Sequence, residues 1–192
     1  MPFITGHGHM RRRMRKHLHW SAGSLSALLF VFAALAASPS VSVAQAISSA
    51  PNDGTLRITG AVGHAIVLHE ADLATLSRQT VHVVDDKGAA VAYEGVPVAA
   101  LLGRAGAPLG KQLRGPRMKL YVVVEAADGY RAVFALAEFD SDFTDRVILL
   151  VDRRDGHPLS SKEGPFRIVV PGEKRYARWV REVTALDIQE AR

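Results

Sequence analysis

The sequence that decides the fold runs from Val147 to Trp179 and reads VILLVDRRDGHPLSSKEGPFRIVVPGEKRYARW. It begins with Val147–Val151, a continuous apolar run that is typical of a strand buried on both faces of a sheet. A second run, Phe166–Val170, starts after Gly164-Pro165 and stops at Pro171-Gly172. The sequence therefore predicts two interior strands that flank a loop rich in hydrogen-bonding side chains.

Shorter strand and helix patterns surround these two strands. Apolar and β-branched residues predict further strands over Leu56–Thr59, Ala65–Leu68, Thr80–Val84, Val91–Tyr93, Leu120–Ala126, Tyr130–Ala135 and Val183–Ile188. Short helices are predicted over Glu70–Ser77, from Pro97 onward and over Leu136–Phe139. Gly110–Pro116 is expected to form a basic loop, and Asp140–Asp145 an acidic, exposed loop. Many short strands with few helices indicate a β-rich mixed α+β domain.

The first 46 residues have the pattern of an export signal peptide. A basic region at Arg11–Lys16 precedes the apolar core Leu25–Ala37, and Ala44-Gln45-Ala46 supplies the small residues that favour cleavage after Ala46. The alternative is an uncleaved membrane anchor, although the apolar core is shorter than the ~20 residues of a membrane-spanning helix. We therefore expect a periplasmic or secreted protein, with residues 47–54 as a flexible tether and residues 55–192 as the folded domain.

The charge of the chain is concentrated in this leader. The whole sequence has a formal charge of +5, but residues 1–46 hold five basic residues and no acidic one. From Ile47 onward, 19 basic residues face 19 acidic residues. Because a nucleic-acid-binding domain needs a basic footprint of its own, nucleic acid is not expected as a partner.

Several separated motifs carry a family resemblance. The sequence D-G-x-P-L at Asp155–Leu159 is followed by P-F-R-I-V-V-P-G at Pro165–Gly172 and by R-W-V at Arg178. Upstream, Tyr93–Gly106 reads YEGVPVAALLGRAG. In this order the motifs resemble the oxidoreductase molybdopterin-binding domain, which has the sulfite-oxidase-type fold, over roughly Leu56 to Ile188. The resemblance implies that fold and a molybdopterin cofactor.

The chain departs from the resembled family in having no cysteine. The resemblance places a metal-ligating cysteine just before the Y-x-G-V-P segment, which here is the region Val81–Asp86. A thiolate suits a molybdenum centre because soft sulfur matches that electron-rich metal. Asp85 or Asp86 is an alternative oxygen ligand, but D-D-K-G is also an ordinary turn sequence. His64, His69 and His82 lack metal-ligand spacing, so neither a metal site nor catalytic residues are predicted.

Basic residues of the second half are the candidates for holding a cofactor phosphate, as the family does. They are Lys162, Arg167, Lys174, Arg175 and Arg178. Arginine suits planar, bidentate recognition of anions. The alternative for Arg167 is that it alternates with Ile168 on a strand and faces solvent or pairs with an acidic neighbour. Tyr176 and Trp179 either offer a stacking surface for a heterocycle or attach the segment to the core.

Two functions remain open from the sequence. Short cysteine-free members of the resembled family have G-P before the V-V-P strand and a basic aromatic segment after it, and this sequence resembles them most. The resemblance therefore implies a non-catalytic ligand-binding or accessory protein without a resident cofactor. Its partner would be a small anionic or heterocyclic ligand, or a membrane-bound sensor or redox subunit. The alternative is a molybdopterin-dependent oxidoreductase whose metal has an oxygen or solvent ligand instead of sulfur.

Overall fold

The computed structural model describes residues 54–85 and 87–192, so the predicted signal peptide, residues 47–53 of the predicted tether and Asp86 lie outside the described residues. The described residues contain ten strands and two α-helices. The strands are β1 (Thr55–Gly60), β2 (Ile66–His69), β3 (Gln79–Val84), β4 (Ala90–Pro97), β5 (Leu120–Ala126), β6 (Arg131–Ala135), β7 (Leu149–Arg154), β8 (His157–Pro158), β9 (Arg167–Val169) and β10 (Val183–Glu190). The helices are α1 (Glu70–Ala74) and α2 (Val98–Arg104). Short 3₁₀ turns cover Gly110–Gln112, Gly115–Lys119, Leu136–Phe139 and Tyr176–Arg178.

The strands form two sheets. The first sheet has the order β2-β1-β10-β5-β6, in which β1 and β10 are parallel and the other neighbours are antiparallel. The second sheet has the order β3-β4-β7, and both β8 and β9 pair with β7 at different points along it. This β-rich architecture with few helices confirms the predicted α+β class.

Of the two strands predicted to be interior, β7 lies inside the second sheet between β4 and β9, whereas β9 pairs only with β7 among the described strands and is therefore a buried edge strand. Leu149, Leu150 and Val151 on β7 are at most 2% exposed, and all three residues of β9 are buried. Burial of adjacent residues on β7 agrees with a strand covered on both faces. Val147 is 38% exposed, so this strand begins two residues later than predicted.

A bulge brings β4 unusually close to β7. The pairing register shifts between Glu94 and Gly95. A Cβ atom on Gly95 would lie 2.1 Å from the backbone oxygen of Leu150. Only glycine fits this contact, so the bulge depends on that residue type.

Two loop predictions need correction. Asp140 is buried, not exposed, and its carboxylate accepts hydrogen bonds from the backbone N–H groups of Gly110 and Asp142. It joins the acidic segment to the segment around Gly110, which contains two 3₁₀ turns instead of an irregular loop. The two backbone donors satisfy the hydrogen-bonding capacity of this buried carboxylate.

The described residues include no helix with the length and apolar character needed to cross a membrane.

Candidate functional site

Five polar side chains from distant parts of the chain meet beside β7 and β9. They are Asp85, Tyr93, Arg154, Glu163 and Arg167, and together we name them the buried ion cluster. Arg167 Nη1 donates to the carboxylate of Glu163 and to the hydroxyl of Tyr93, the latter at 3.0 Å. Arg154 Nη2 lies 2.6 Å from the Asp85 carboxylate, and Arg154 Nη1 lies 3.9 Å from Glu163. The two arginines therefore link the end of β3 to the loop before β9.

Asp85 uses both of its carboxylate oxygens. Oδ1 accepts hydrogen bonds from the backbone N–H groups of Lys87 and Ala89, at 2.9 and 2.8 Å, and Oδ2 binds Arg154. The hydrogen bond from Ala89, together with those from Arg154 and Lys87, holds the pKa of Asp85 below its ordinary value. Asp85 thus serves the turn between β3 and β4.

We expect the Asp85→Asn variant to lose stability in a pH-dependent manner. The folded pKa of Asp85 is lowered from an ordinary 3.8, so its contribution is present above that value and disappears as the pH falls through the folded pKa. Denaturant unfolding of wild type and variant should differ most near neutral pH, and the gap should close below about pH 4. Asp145→Asn is the exposed-carboxylate control. A gap of constant size across this range would contradict the assignment.

Tyr93 and Trp179 enclose the arginine side of the cluster. Tyr93 is fully buried, and burial raises its pKa above the ordinary value. The Arg167 guanidinium carbon lies 5.4 Å from the centroid of the Tyr93 ring and 5.6 Å from that of Trp179. These distances place the cation within cation–π range of both rings, which meet each other edge to face with centroids 6.1 Å apart.

A cavity of about 340 Å³ opens beside Arg167, and we name it the Arg167 cavity. It is lined by Ala126, Asp128, Tyr130, Lys162, Arg167, Tyr176, Ala177, Trp179, Val180, Arg181 and Glu182. Arg167 is only 3% exposed, and its Nε has no hydrogen-bond partner among the described residues. The cavity therefore borders a buried cation with an unused donor.

Two aromatic residues fix one wall of this cavity: Tyr176, in the 3₁₀ turn Tyr176–Arg178, and Trp179, directly after it. Trp179 Nε1 donates to the backbone oxygen of Val170 at 3.1 Å, and the Tyr176 hydroxyl donates to that of Val84 at 3.0 Å. The two rings meet edge to face with centroids 4.7 Å apart. Trp179 thus attaches the segment to the core and lines the cavity as well, so the two alternatives from the sequence are compatible.

The predicted basic residues divide into two groups. Lys162 and Arg167 both line the Arg167 cavity. Arg178 lies apart from that lining, where it pairs with Glu138 and Glu173 and covers the Phe134 ring at 4.4 Å. Lys174 and Arg175 are exposed in the preceding turn and do not line the cavity. Sequence reasoning did not select Tyr93 and Arg154, although the Y-E-G-V-P motif contains the former.

No group of three histidine, aspartate or glutamate side chains that could hold a metal ion occurs within residues 54–85 and 87–192. His157 lies exposed on the two-residue strand β8.

The sequence matches one protein family over most of its length. Residues 42–192 match the sequence model of the family described as oxidoreductase molybdopterin binding domain. The chain belongs to this family. The resemblance inferred from the separated motifs is therefore confirmed, and no curated protein matches the chain.

A solved structure shows the same fold as this molybdopterin-binding-domain protein. The sulfane dehydrogenase SoxCD from Paracoccus pantotrophus superposes with a TM-score of 0.58 at 23% identity, over 74% of this chain and 39% of that chain. The present chain thus spans less than half the length of that structure's chain. The superposition confirms the sulfite-oxidase-type fold.

The residues at the expected metal position do not fit a thiolate-held molybdenum centre. The region Val81–Asp85 has no sulfur-containing side chain, since the whole chain has no cysteine. Its carboxylate, Asp85, already binds two backbone N–H groups and Arg154. A soft, electron-rich metal would thus find neither sulfur nor an uncommitted carboxylate at these positions.

Proposed function

We propose that this protein is an exported, non-catalytic member of the molybdopterin-binding-domain family that binds a small ligand in the Arg167 cavity. The observation that carries the proposal is Arg167 itself, a 97% buried cation whose Nε lacks a partner beside an open cavity. A buried donor without a partner costs about 1–3 kcal/mol. A ligand acceptor would remove that cost, which makes binding favourable at this point.

The chemistry of the lining suggests a flat ligand with an anionic group. Arg167 and Lys162 supply positive charge, and Trp179 supplies an aromatic wall. A guanidinium favours planar carboxylate or phosphate groups because its donors lie in one plane. Asp128 and Glu182 also belong to the lining, so the anionic group is expected beside Arg167 and not across the whole cavity. A cavity near 340 Å³ is at the lower end for small-molecule sites of ~300–1,000 Å³.

The cellular setting in this proposal comes from the sequence. The basic region, apolar core and A-Q-A site of residues 1–46 support export to the periplasm or the medium, with cleavage near Ala46. An exported accessory protein would then present its ligand to a membrane-bound sensor or redox subunit.

The proposal predicts a measurable fluorescence response. The chain has two tryptophans, Trp20 in the leader and Trp179 in the cavity wall, so Trp20→Phe leaves Trp179 as the reporter. Pterin-6-carboxylate is a suitable probe because it is flat and carries a carboxylate. We expect saturable quenching of Trp179 and a rise in Tm, since a ligand that binds only the native state stabilises it. Arg167→Lys should weaken binding at least about tenfold.

The controls separate this proposal from its alternatives. Lys174→Gln with Arg175→Gln changes exposed cations outside the cavity lining and should leave the affinity unchanged. Absence of any response to pterin-6-carboxylate, phosphate and sulfate would overturn the ligand-binding proposal. Stoichiometric molybdenum in protein from the exported fraction would instead favour the oxidoreductase with a non-thiolate metal ligand.

A further inference from the structure

A second charged region lies apart from the Arg167 cavity. The segment from Arg104 to Lys119 contains five basic residues and no acidic residue, and all five basic side chains are exposed. We name it the basic segment. Since the domain from Ile47 onward is balanced at 19 basic and 19 acidic residues, the rest of the domain carries an acidic excess. The charge of this nominally neutral domain is therefore strongly polarised.

Most cations of the basic segment form no ion pair with another described residue, Lys119 being the exception. Lys111, Arg114 and Arg117 have no carboxylate within salt-bridge distance among the described residues, whereas Arg78 and Arg178 each pair with two carboxylates. Arg117 Nη1 donates to the backbone oxygen of Gln112, at 3.3 Å. Three cations are thus available to an external anionic surface.

Asp140 lies close to the basic segment but does not neutralise its cations. Asp140 is buried, and its carboxylate binds the backbone N–H groups of Gly110 and Asp142. Lys119 pairs with Glu190, a contact in which both side chains are about half exposed. Exposed pairs of this kind contribute little and exchange readily for other partners.

The basic segment also exposes an apolar side chain on a fixed support. Met118 is 44% exposed and stands between Arg117 and Lys119 in the 3₁₀ turn. Leu113 and Leu120, at 2% and 7% exposure, hold the turn to the core on both sides. Arg114 and Arg117 border an open cleft of about 500 Å³. The turn therefore presents cations together with an apolar tip.

We propose that the basic segment is the surface by which the protein docks on an anionic phospholipid membrane. Exposed cations on either side of an exposed apolar side chain match an interface that offers phosphate groups above hydrocarbon. A free anion would bind the cations but would make no apolar contact with Met118. Each cation near an anionic membrane contributes about a fivefold gain in partitioning. This surface functions independently of any ligand in the Arg167 cavity.

The absence of cysteine makes the test direct. Met118→Cys, introduced into the full chain and labelled with an environment-sensitive fluorophore, reports contact of the turn with lipid. We expect the emission to shift to the blue and to intensify with phosphatidylglycerol-containing vesicles but not with phosphatidylcholine vesicles. The response should vanish at about 0.5 M salt, where charges are screened within a few ångströms. The leader also carries five basic residues, so its attraction to anionic vesicles is common to every variant and cancels when the variants are compared.

Matched variants decide whether the segment or the overall charge is responsible. On the labelled background, Lys111→Gln, Arg114→Gln and Arg117→Gln together should weaken partitioning by about a hundredfold. Replacing the exposed residues Arg57, Lys87 and Arg192 by glutamine removes the same charge and should leave most of the partitioning onto these vesicles intact. The proposal is overturned if a label at Val67→Cys, a site 56% exposed in the parent, responds equally. It is also overturned if the triple variant of the basic segment partitions like the parent.

Discussion

Replacement of Arg167 by methionine is expected to lower the free energy of unfolding by about 3–5 kcal/mol, the cost of breaking a buried ion pair by removing one partner. The side chain of Arg167 is 4% exposed and that of Glu163 is 18% exposed, so the remaining carboxylate would lie in a poorly solvated place. The hydroxyl of Tyr93 would lose its bond from Arg167 at the same time. Denaturant unfolding at neutral pH measures the change.

Two further variants show whether the buried charge is the cause. Arg167→Met combined with Glu163→Gln removes both charges and should be less destabilised than Arg167→Met alone. Arg131→Met breaks the pair with Glu125, in which the arginine is 67% exposed, and should cost less than about 1 kcal/mol. If Arg167→Met were as mild as Arg131→Met, the buried ion cluster would not stabilise the fold.

The second large effect is expected at Gly95. In Gly95→Ala the new methyl group would meet the backbone oxygen of Leu150 at 2.1 Å and the Cα of Val151 at 2.5 Å. Backbone atoms cannot rotate away from the new methyl group as a flexible side chain can. The strands β4 and β7 must therefore separate where the second sheet is most buried. We expect a loss of at least about 3 kcal/mol, or failure to fold. Circular dichroism followed by denaturant unfolding distinguishes these outcomes.

Gly103→Ala is the matched control for this substitution. Gly103 lies inside α2, and apart from its chain neighbours and the backbone of that helix, no atom of residues 54–85 and 87–192 comes within 4 Å of an added Cβ. Alanine favours a helix over glycine by up to about 1 kcal/mol, so this variant should gain stability. Equal losses at both glycines would refute the steric explanation for Gly95.

Strands whose apolar pattern is local could be predicted from the sequence. β5 and β7 were found because continuous valine and leucine runs are typical of buried strands. β10 was found as well, but the irregularity in its register was not. A bulge between Val183 and Ala185 shifts the register, so Ala185 and Leu186 are both buried. A bulge depends on the pairing with β5, which the sequence of β10 alone does not contain.

The candidate site was predictable in its residue types but not in its contacts. Lys162 and Arg167 were selected for their charge, and the structure places both at one cavity. Alternation along β9 left open that Arg167 faces solvent. It is buried because Tyr93, 74 positions earlier, and Trp179 cover it. Such long-range contacts arise from the sheet topology, and no local pattern encodes them.

The parallel pairing of β1 with β10 affects how the polypeptide matures. The first and last strands of the described chain lie side by side, and β10 also separates β1 from β5. A ribosome-bound chain must therefore carry β1 and β5 without their shared neighbour until β10 has left the exit tunnel. Until then the first sheet stays open, with β1 paired to β2 and β5 paired to β6. Translation that stops before β10 would yield a product unable to close its first sheet.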